Sequence, residues 1–231
     1  MSATATTSPP RREHFVLVPK SRDGVPPLEQ GDRLTRQEFH RRYEAMTNVK
    51  KAELIEGVVQ MPSPAKLKKH GKPQMQVATW IGNYSASHPK TEAADNATVL
   101  LDFDNEYQPD LFLRILPEHG GQSRTTEEDY VEGAPELVVE IASSSAGYDL
   151  HAKKNAYRRN GVREYLVWIT RENRIVWWKL VEGEFVEIQP EPDGLLKSTV
   201  FPGLWLDAPA LLRDDLATAL TRLQDGIRSA A

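Results

Sequence analysis

The fold is decided by the stretch Pro135-Glu136-Leu137-Val138-Val139-Glu140-Ile141. Its apolar residues follow one another without alternation, which is typical of a central strand buried on both faces. A helix is predicted next, at about 147–160, because Gly161 stands where a helix commonly ends. Two strands, at 164–170 and 174–181, then flank a short polar turn. This order of elements predicts a mixed α/β fold.

The rest of the chain adds helices and strands on both sides of this segment. Thr35 followed by Glu38 is a capping box, which predicts a helix at about 36–46. Gly57 lies between two short apolar runs and predicts a tight turn between two strands. Further predicted elements are a helix at 72–87, a hairpin of strands 97–103 and 109–115, a loop at 116–134, a strand at 184–188 and a helix at 208–228.

Composition excludes several classes of protein. The 231 residues include 29 Lys and Arg against 33 Asp and Glu, a net charge of −4. This balance excludes a histone-like protein that binds nucleic acid by bulk charge. The absence of Cys excludes disulfides, thiolate nucleophiles and iron–sulfur clusters. The sequence shows no apolar run near the ~20 residues of a membrane span and no signal-peptide core, so we expect a cytoplasmic protein.

The sequence pattern divides the chain into three parts. The first residues are small, polar and Pro-containing, so we expect a flexible N-terminal arm over 1–31. The succession of helices and strands predicts a single domain over 32–215. A C-terminal helix and tail are expected over 216–231.

Acidic residues and one lysine accompany the predicted strands. Asp110 begins a strand, and Glu140 lies near the end of the central strand. Asp149, Lys153 and Tyr157 follow at intervals of four, so they share one helical face. Two carboxylates on neighbouring strand ends suit Mg²⁺, which prefers oxygen ligands and keeps several waters. With a lysine nearby to stabilise developing charge, the pattern predicts metal-assisted hydrolysis of a phosphodiester.

Simpler interpretations of the same residues stay open. An Asp after a proline is also typical of a turn, which would account for Asp110. Asp149 and Lys153 would also suit a surface ion pair worth roughly 0.3–0.5 kcal/mol. Glu140 fits such interpretations less well, because a buried carboxylate needs a partner or a metal. The sequence has no HxH, HExxH, GxGxxG or Walker pattern, which disfavours zinc hydrolases and nucleotide-dependent enzymes.

Several segments have a combined spacing that is specific, although each segment alone is weak. They are Glu53-Leu54-Ile55-Glu56-Gly57, Gln108-Pro109-Asp110-Leu111, Pro135 to Ile141, Asp149-Leu150 with Lys153 and Tyr157, Gly161-Val162 and Glu164-Tyr165. Together they resemble the bacterial Uma-two family of candidate restriction endonucleases, a branch of the PD-(D/E)xK nuclease superfamily. The resemblance covers about residues 32–215, which is nearly all of the part expected to fold.

The resemblance implies a restriction-endonuclease-like core, in which a mixed central β-sheet is flanked by helices. It also implies that Asp110 and Glu140 are catalytic metal ligands, for Mg²⁺ or alternatively Mn²⁺. Glu53 matches the additional acidic residue that the family carries upstream, so it is expected to support the metal site.

One position departs from the general superfamily motif. The lysine expected two residues after the glutamate is replaced by Ala142 in this chain. In the Uma-two branch the lysine lies on the following helix, and the resemblance assigns this role to Lys153. Lys154 is the alternative, although it points roughly 100° away on a helix. Asp149 and Tyr157 are the partners of Lys153 on its helical face.

Two runs of basic residues, at 66–72 and 153–163, are candidate DNA contacts in a chain that is acidic overall. The candidate phosphate contacts in these two runs are Lys69, His70, Lys154 and Arg158. A solvated surface is the alternative interpretation of the basic runs.

Trp177 and Trp178 point to opposite faces of a predicted strand, so one is a candidate for a homodimer contact.

The leading hypothesis is therefore a Mg²⁺-dependent endonuclease that hydrolyses DNA, with RNA left open as a substrate. A catalytically inactive DNA- or protein-binding module on the same fold is the second hypothesis, motivated by Ala142 and the net acidity. A metal-dependent hydrolase of another substrate is the third. Catalysis requires the Lys153 amine to lie within about 8 Å of the Asp110 and Glu140 carboxylates, because electrostatic coupling weakens with distance.

Overall fold

The structure, a computed structural model, describes residues 24–62, 64–143 and 146–230. The helices of these segments are α1 (Arg36–Glu44), α2 (Lys72–Ser87), α3 (Lys154–Arg159), α4 (Ala208–Leu212) and α5 (Leu216–Ala230). A π-helical turn precedes α2 at Leu67–Gly71 and another precedes α3 at Tyr148–Lys153. The strands are β1 (Glu53–Ile55), β2 (Val58–Gln60), β3 (Thr91–Asp95), β4 (Val99–Leu100), β5 (Glu106–Tyr107), β6 (Leu111–Ile115), β7 (Arg124–Thr125), β8 (Val131–Glu132), β9 (Leu137–Ala142), β10 (Glu164–Ile169), β11 (Arg174–Val181), β12 (Glu184–Glu187), β13 (Leu196–Lys197) and β14 (Trp205–Leu206).

A six-stranded sheet with the order β12-β11-β10-β9-β6-β3 forms the centre of the fold. β9 and β10 are parallel and are joined by α3, whereas the other neighbours pair antiparallel. Every residue of β9 is buried, as its continuous apolar run predicts. The expected mixed central sheet flanked by helices is therefore confirmed.

The two faces of β9 contact different layers. Leu137, Val139 and Ile141 belong to a core that includes side chains of α2 and α5, such as Trp80 and Leu223. Strand residues alternate between the two faces, so Val138 and Glu140 point the other way. Val138 belongs to a second core, which also includes Tyr157 of α3 and Tyr107 of β5. Glu140 is thus placed under α3.

A second sheet covers this α3 side of the molecule, with the order β2-β1-β5-β4-β8-β7. Its strand β1 carries Glu53, and β5 pairs with β1 through Leu54 and Glu106. A smaller core lies beneath α1, where Phe39 and Leu54 are fully buried. The second sheet thus brings an acidic residue from the start of the chain towards the central strands.

Most of the predicted elements are confirmed with small shifts at their ends. α2 begins and ends at the predicted residues, and β10, β11 and β12 lie within a residue or two of their predicted positions. The Thr35 side chain accepts a hydrogen bond from the Glu38 backbone N–H at 3.4 Å, so the helix cap is confirmed. Gly161 adopts a φ of 80° after α3, which is the left-handed conformation expected at a helix end.

The predicted hairpin of strands 97–103 and 109–115 is wrong. β4 pairs with β5 instead, and β6 pairs with β3 and β9 in the central sheet. The chain does reverse at Asp104, but it crosses to another sheet between Tyr107 and Leu111, where Pro109 lacks a backbone N–H for a ladder. β3 was absent from the predicted elements because its sequence, Thr-Glu-Ala-Ala-Asp, has weak strand propensity.

Two further segments differ from the sequence predictions. The segment predicted as a loop at 116–134 contains β7 and β8. The predicted helix at 208–228 is two helices, because Asp214 adopts a φ of 68° and Asp215 accepts a hydrogen bond from the Thr218 N–H.

The division into an arm, a domain and a tail stays a prediction at both ends. Leu28 is fully buried, although it lies within the expected flexible arm 1–31. Residues 1–23 and Ala231 lie outside the described residues. In α5, Ala219 and Leu223 pack into the core beside α2, so this helix contributes to the fold. No helix of the described segments combines the length and apolar character needed to cross a membrane.

Candidate active site

β6 and β9 place two carboxylates side by side at neighbouring strand positions. Asp110 immediately precedes β6, whose Leu111 pairs with Val139 of β9. The Asp110 Oδ2 accepts a hydrogen bond from the Ile141 backbone N–H at 2.8 Å. This bond fixes Asp110 against the strand that carries Glu140. Both side chains are buried, with residue exposures of 3% each.

Lys153 lies among three carboxylates, which we call the carboxylate cage: Glu53, Glu140 and Asp149. Its Nζ donates to Glu53 Oε1 and to Glu140 Oε1, each at 3.0 Å. The Asp149 Oδ1 lies 3.8 Å from the same nitrogen. Lys153 is only 4% exposed, so this ammonium is held inside the protein. The distance to Glu140 lies well within the limit of about 8 Å set for that carboxylate.

Asp149 and Lys153 lie in the π-helical turn and Tyr157 lies in α3, and the interval of four places them on one side of the helical segment. All three residues are buried, at 2%, 4% and 0% exposure. The pair of Asp149 and Lys153 is therefore buried and does not lie on a solvated surface.

Three tyrosines enclose the cage. The Tyr157 hydroxyl donates to Glu140 Oε1 at 3.0 Å, so this oxygen accepts from both Tyr157 and Lys153. The ring of Tyr107 lies 5.6 Å from Lys153 Nζ, within the range of a cation–π contact. The Tyr165 hydroxyl donates to the backbone carbonyl of Asp149 at 2.9 Å. The aromatic walls keep the charged groups in a medium of low polarity.

Burial and neighbouring charges shift the protonation of the cage. Burial raises the pKa of Glu140 to about 8, although Lys153 opposes the shift. Burial alone would lower the pKa of Lys153, but Glu140, Glu53 and Asp149 outweigh it and raise the pKa well above its ordinary value. Lys153 therefore stays an ammonium at neutral pH, while Glu140 holds a proton in the metal-free protein.

The raised pKa of Glu140 predicts that the free energy of unfolding depends on pH. A carboxyl group whose folded pKa exceeds its unfolded value of 4.5 stabilises the fold fully below pH 4.5, and this contribution is lost as the pH rises towards 8. Between these values the loss approaches about 1.4 kcal/mol per pH unit. Urea denaturation of Glu140→Gln at several pH values should show a flatter profile than the unmodified protein. Parallel pH profiles for Glu140→Gln and the unmodified protein would contradict the raised pKa of Glu140.

Asp110 lies between the buried cage and two partly exposed side chains, Lys51 and His70, which we call the rim. His70 Nε2 lies 3.2 Å from Asp110 Oδ1, and Lys51 Nζ lies 3.7 Å from the same oxygen. Burial would raise the pKa of Asp110, but the His70 hydrogen bond, the Lys51 charge and the Ile141 N–H together lower it. The side chains of Lys51 and His70 are 25% and 23% exposed, so both reach the surface.

Lys51 is a site residue that the sequence patterns did not indicate. It lies two residues before Glu53, on the approach to β1, and its Nζ also donates to Asn96 Oδ1 at 3.3 Å. Its alternation with Glu53 is a signal that places both side chains on one side of the chain, but the strand is too short for this pattern to be decisive.

The remaining predicted phosphate contacts lie in different places. Of the run at 66–72, His70 reaches Asp110, while Lys69 is exposed and its carbonyl accepts from the Thr170 hydroxyl at 3.0 Å. Lys154 and Arg158 lie on the outward face of α3, away from the cage. Lys154 therefore does not share the position of Lys153.

The donor set fits a hard divalent cation with few protein ligands. Asp110 and Glu140 offer carboxylate oxygens on adjacent strands, which is sufficient for Mg²⁺ or Mn²⁺ with bound waters. The described residues contain no group of three or more acidic or His side chains arranged as metal ligands. Within the cage, Lys153 already donates to Glu53 and Glu140. Asp110 and Glu140 are the residues that would hold such a metal.

Comparisons with known proteins agree with this architecture. A family model, Uma2, described as "Putative restriction endonuclease", matches residues 36–209. A crystal structure of a "putative nuclease belonging to DUF820" from Anabaena variabilis ATCC 29413 has a TM-score of 0.56 and 18% identity. The match covers 82% of this chain and 99% of that chain. Among curated proteins, none matches this chain.

These matches confirm the resemblance and the restriction-endonuclease-like fold that it implies. The family model spans α1, both sheets and the whole candidate site. Because it covers more than half of the sequence, it establishes membership. The chain belongs to the Uma2 family.

Proposed function

We propose that this protein is a metal-dependent endonuclease that hydrolyses phosphodiester bonds of DNA. The observation that carries the proposal is the cluster in which Asp110 and Glu140 lie on adjacent strands and Lys153 lies 3.0 Å from Glu140. Membership of the Uma2 family supports the same activity. Asp110 and Glu140 would hold Mg²⁺ or Mn²⁺, with Glu53 as a supporting acidic residue.

Each residue of the cluster has a separate task in this proposal. A bound divalent metal would polarise the phosphate and lower the pKa of a coordinated water. Glu53 and Asp149 hold the Lys153 ammonium beside Glu140, and the raised pKa of Lys153 keeps it charged. Lys153 thus stabilises developing negative charge and does not act as a base.

Lys51 and His70 form the rim that a phosphate meets first. Both contact Asp110 and both are partly exposed, whereas Lys153 is buried. Charges at such an entrance raise the local concentration of an anionic substrate. We therefore assign the first contact with DNA to the rim and stabilisation of developing negative charge to Lys153.

The expected result is cleavage of DNA by purified protein in the presence of Mg²⁺ or Mn²⁺, and none when a chelator is added. Plasmid DNA, linear duplexes, single strands and RNA should be tested separately, because the site geometry does not select among them. Absence of cleavage on every substrate with either metal would contradict the proposal. A cytoplasmic location remains a prediction.

A catalytically inactive binding module is the second candidate function. The specific observation in its favour is that Lys153 is buried and already donates to two carboxylates, with Ala142 at the usual lysine position. This candidate predicts DNA binding that persists without metal and without turnover. Homodimer formation also stays a prediction, but Trp177 and Trp178 are both buried, so neither is available for the contact.

A further inference from the structure

A cavity of about 260 Å³ lies on the outward face of the helix whose inward face carries Lys153. The residues on this face recur at intervals of three and four, so they form one stripe along the helix. β12 closes the cavity from the side. Residues that line it include His151, Lys154, Asn155, Arg158, Glu184 and Phe185.

Two cationic side chains of the cavity are held in place by the protein. The Lys154 Nζ lies 3.9 Å from the ring of Trp178, and the side chain is partly buried. Both hydrogen bonds that Arg158 makes to described residues use its Nη1, at 2.8 Å to the Gly183 carbonyl and 3.1 Å to Glu184. Because a guanidinium has five N–H donors, Nε and Nη2 stay available for a planar anion contact.

The neighbours of these cations favour an anion over a neutral ligand. Asn155 adds an amide donor to the cavity, and Glu184 is the one acidic residue that lines it. The Glu184 side chain is 75% exposed, so water screens much of its charge. At ~30 Å³ per water molecule, the volume holds a phosphate group together with several waters.

We propose that this cavity is a phosphate-binding site, separate from the carboxylate cage. Arg158 and Lys154 supply the charge, and Asn155 supplies a neutral donor. The phosphate is either part of a nucleic-acid backbone or a free ion, and the chemistry of recognition is the same for both. The site does not depend on cleavage, because none of its residues belongs to the cage or contacts Asp110.

The test uses the full chain with a chelator present, so that the metal site plays no part. Calorimetric titration with inorganic phosphate should give weaker binding by about tenfold or more for Arg158→Ala and for Lys154→Met. Arg159→Ala is the matched control, because this adjacent arginine is exposed and pairs with Glu56 at 2.7 Å. Glu184→Gln should strengthen binding, since it removes the one carboxylate that lines the cavity.

A second titration, with a fluorescently labelled DNA duplex, distinguishes the two sources of phosphate. If Arg158→Ala weakens DNA binding and lowers the slope of log K against log salt by about 1, the site holds a backbone phosphate. If only inorganic phosphate binding falls, the site holds a free ion. The proposal is overturned if the unmodified protein binds no phosphate, or if Arg158→Ala and Arg159→Ala behave alike. Neither outcome depends on whether the protein cleaves DNA.

Discussion

Replacement of Lys153 by methionine is expected to lower the free energy of unfolding by about 3–5 kcal/mol at pH 8. The change removes the ammonium that neutralises Glu53, Glu140 and Asp149, all of which are at most 5% exposed. Uncompensated buried carboxylates then repel one another in a medium that solvates them poorly. Urea denaturation should also show that the loss shrinks at acidic pH, where the carboxylates take up protons.

Lys154→Met provides the matched control for this prediction. It removes an adjacent ammonium of the same helix that is partly exposed and contacts no carboxylate of the cage. The loss in the free energy of unfolding for Lys154→Met should stay near the ~0–1 kcal/mol that is typical of surface charges. A second variant, Lys153→Met with Glu53→Gln, should recover part of the stability because it removes a buried carboxylate that Lys153 no longer pairs with. Equal losses for Lys153→Met and Lys154→Met would refute a central role for the Lys153 ammonium.

The sequence predicted the central sheet more reliably than the pairing around it. The run at 137–142 is apolar except for Glu140, and such a run is typical of a strand that is buried on both faces. β6 was located, yet its partners were wrong, since pairing depends on contacts between residues far apart in the chain. β3 gave no signal, because an edge strand with Ala, Glu and Asp is stabilised by its neighbour β6 and not by its own propensity.

The candidate site was predictable to the extent that its residues carry local signals. Asp149, Lys153 and Tyr157 repeat at a helical interval, and Glu140 interrupts an apolar strand. Lys51 carries only the weak signal of its alternation with Glu53, because it reaches Asp110 through the packing of the second sheet against the central one. The outward direction of Lys154, by contrast, follows from the helix geometry itself.

Glu140 links the metal-free protein to the form that we propose is active. With a pKa of about 8, it is largely protonated at pH 7. A metal ligand must be deprotonated, so binding of a divalent cation at pH 7 should release close to one proton. Titrations in buffers with different ionisation enthalpies would measure this release, which should fade above pH 9. A release that does not change with pH would exclude Glu140 as the titrating ligand.

Asp110→Asn and Glu140→Gln are expected to abolish binding of Mg²⁺ or Mn²⁺ and to reduce DNA cleavage by at least about 10³-fold. Each variant removes one of two proposed anionic ligands, and metal-assisted charge stabilisation is worth several kcal/mol, at 1.36 kcal/mol per tenfold in rate. Calorimetry with the metal alone separates lost binding from lost turnover. Asp95→Asn is the control, because Asp95 is exposed although it pairs with Leu111, next to Asp110. Metal binding that survives in both Asp110→Asn and Glu140→Gln would place the metal elsewhere and overturn the assignment of these two carboxylates.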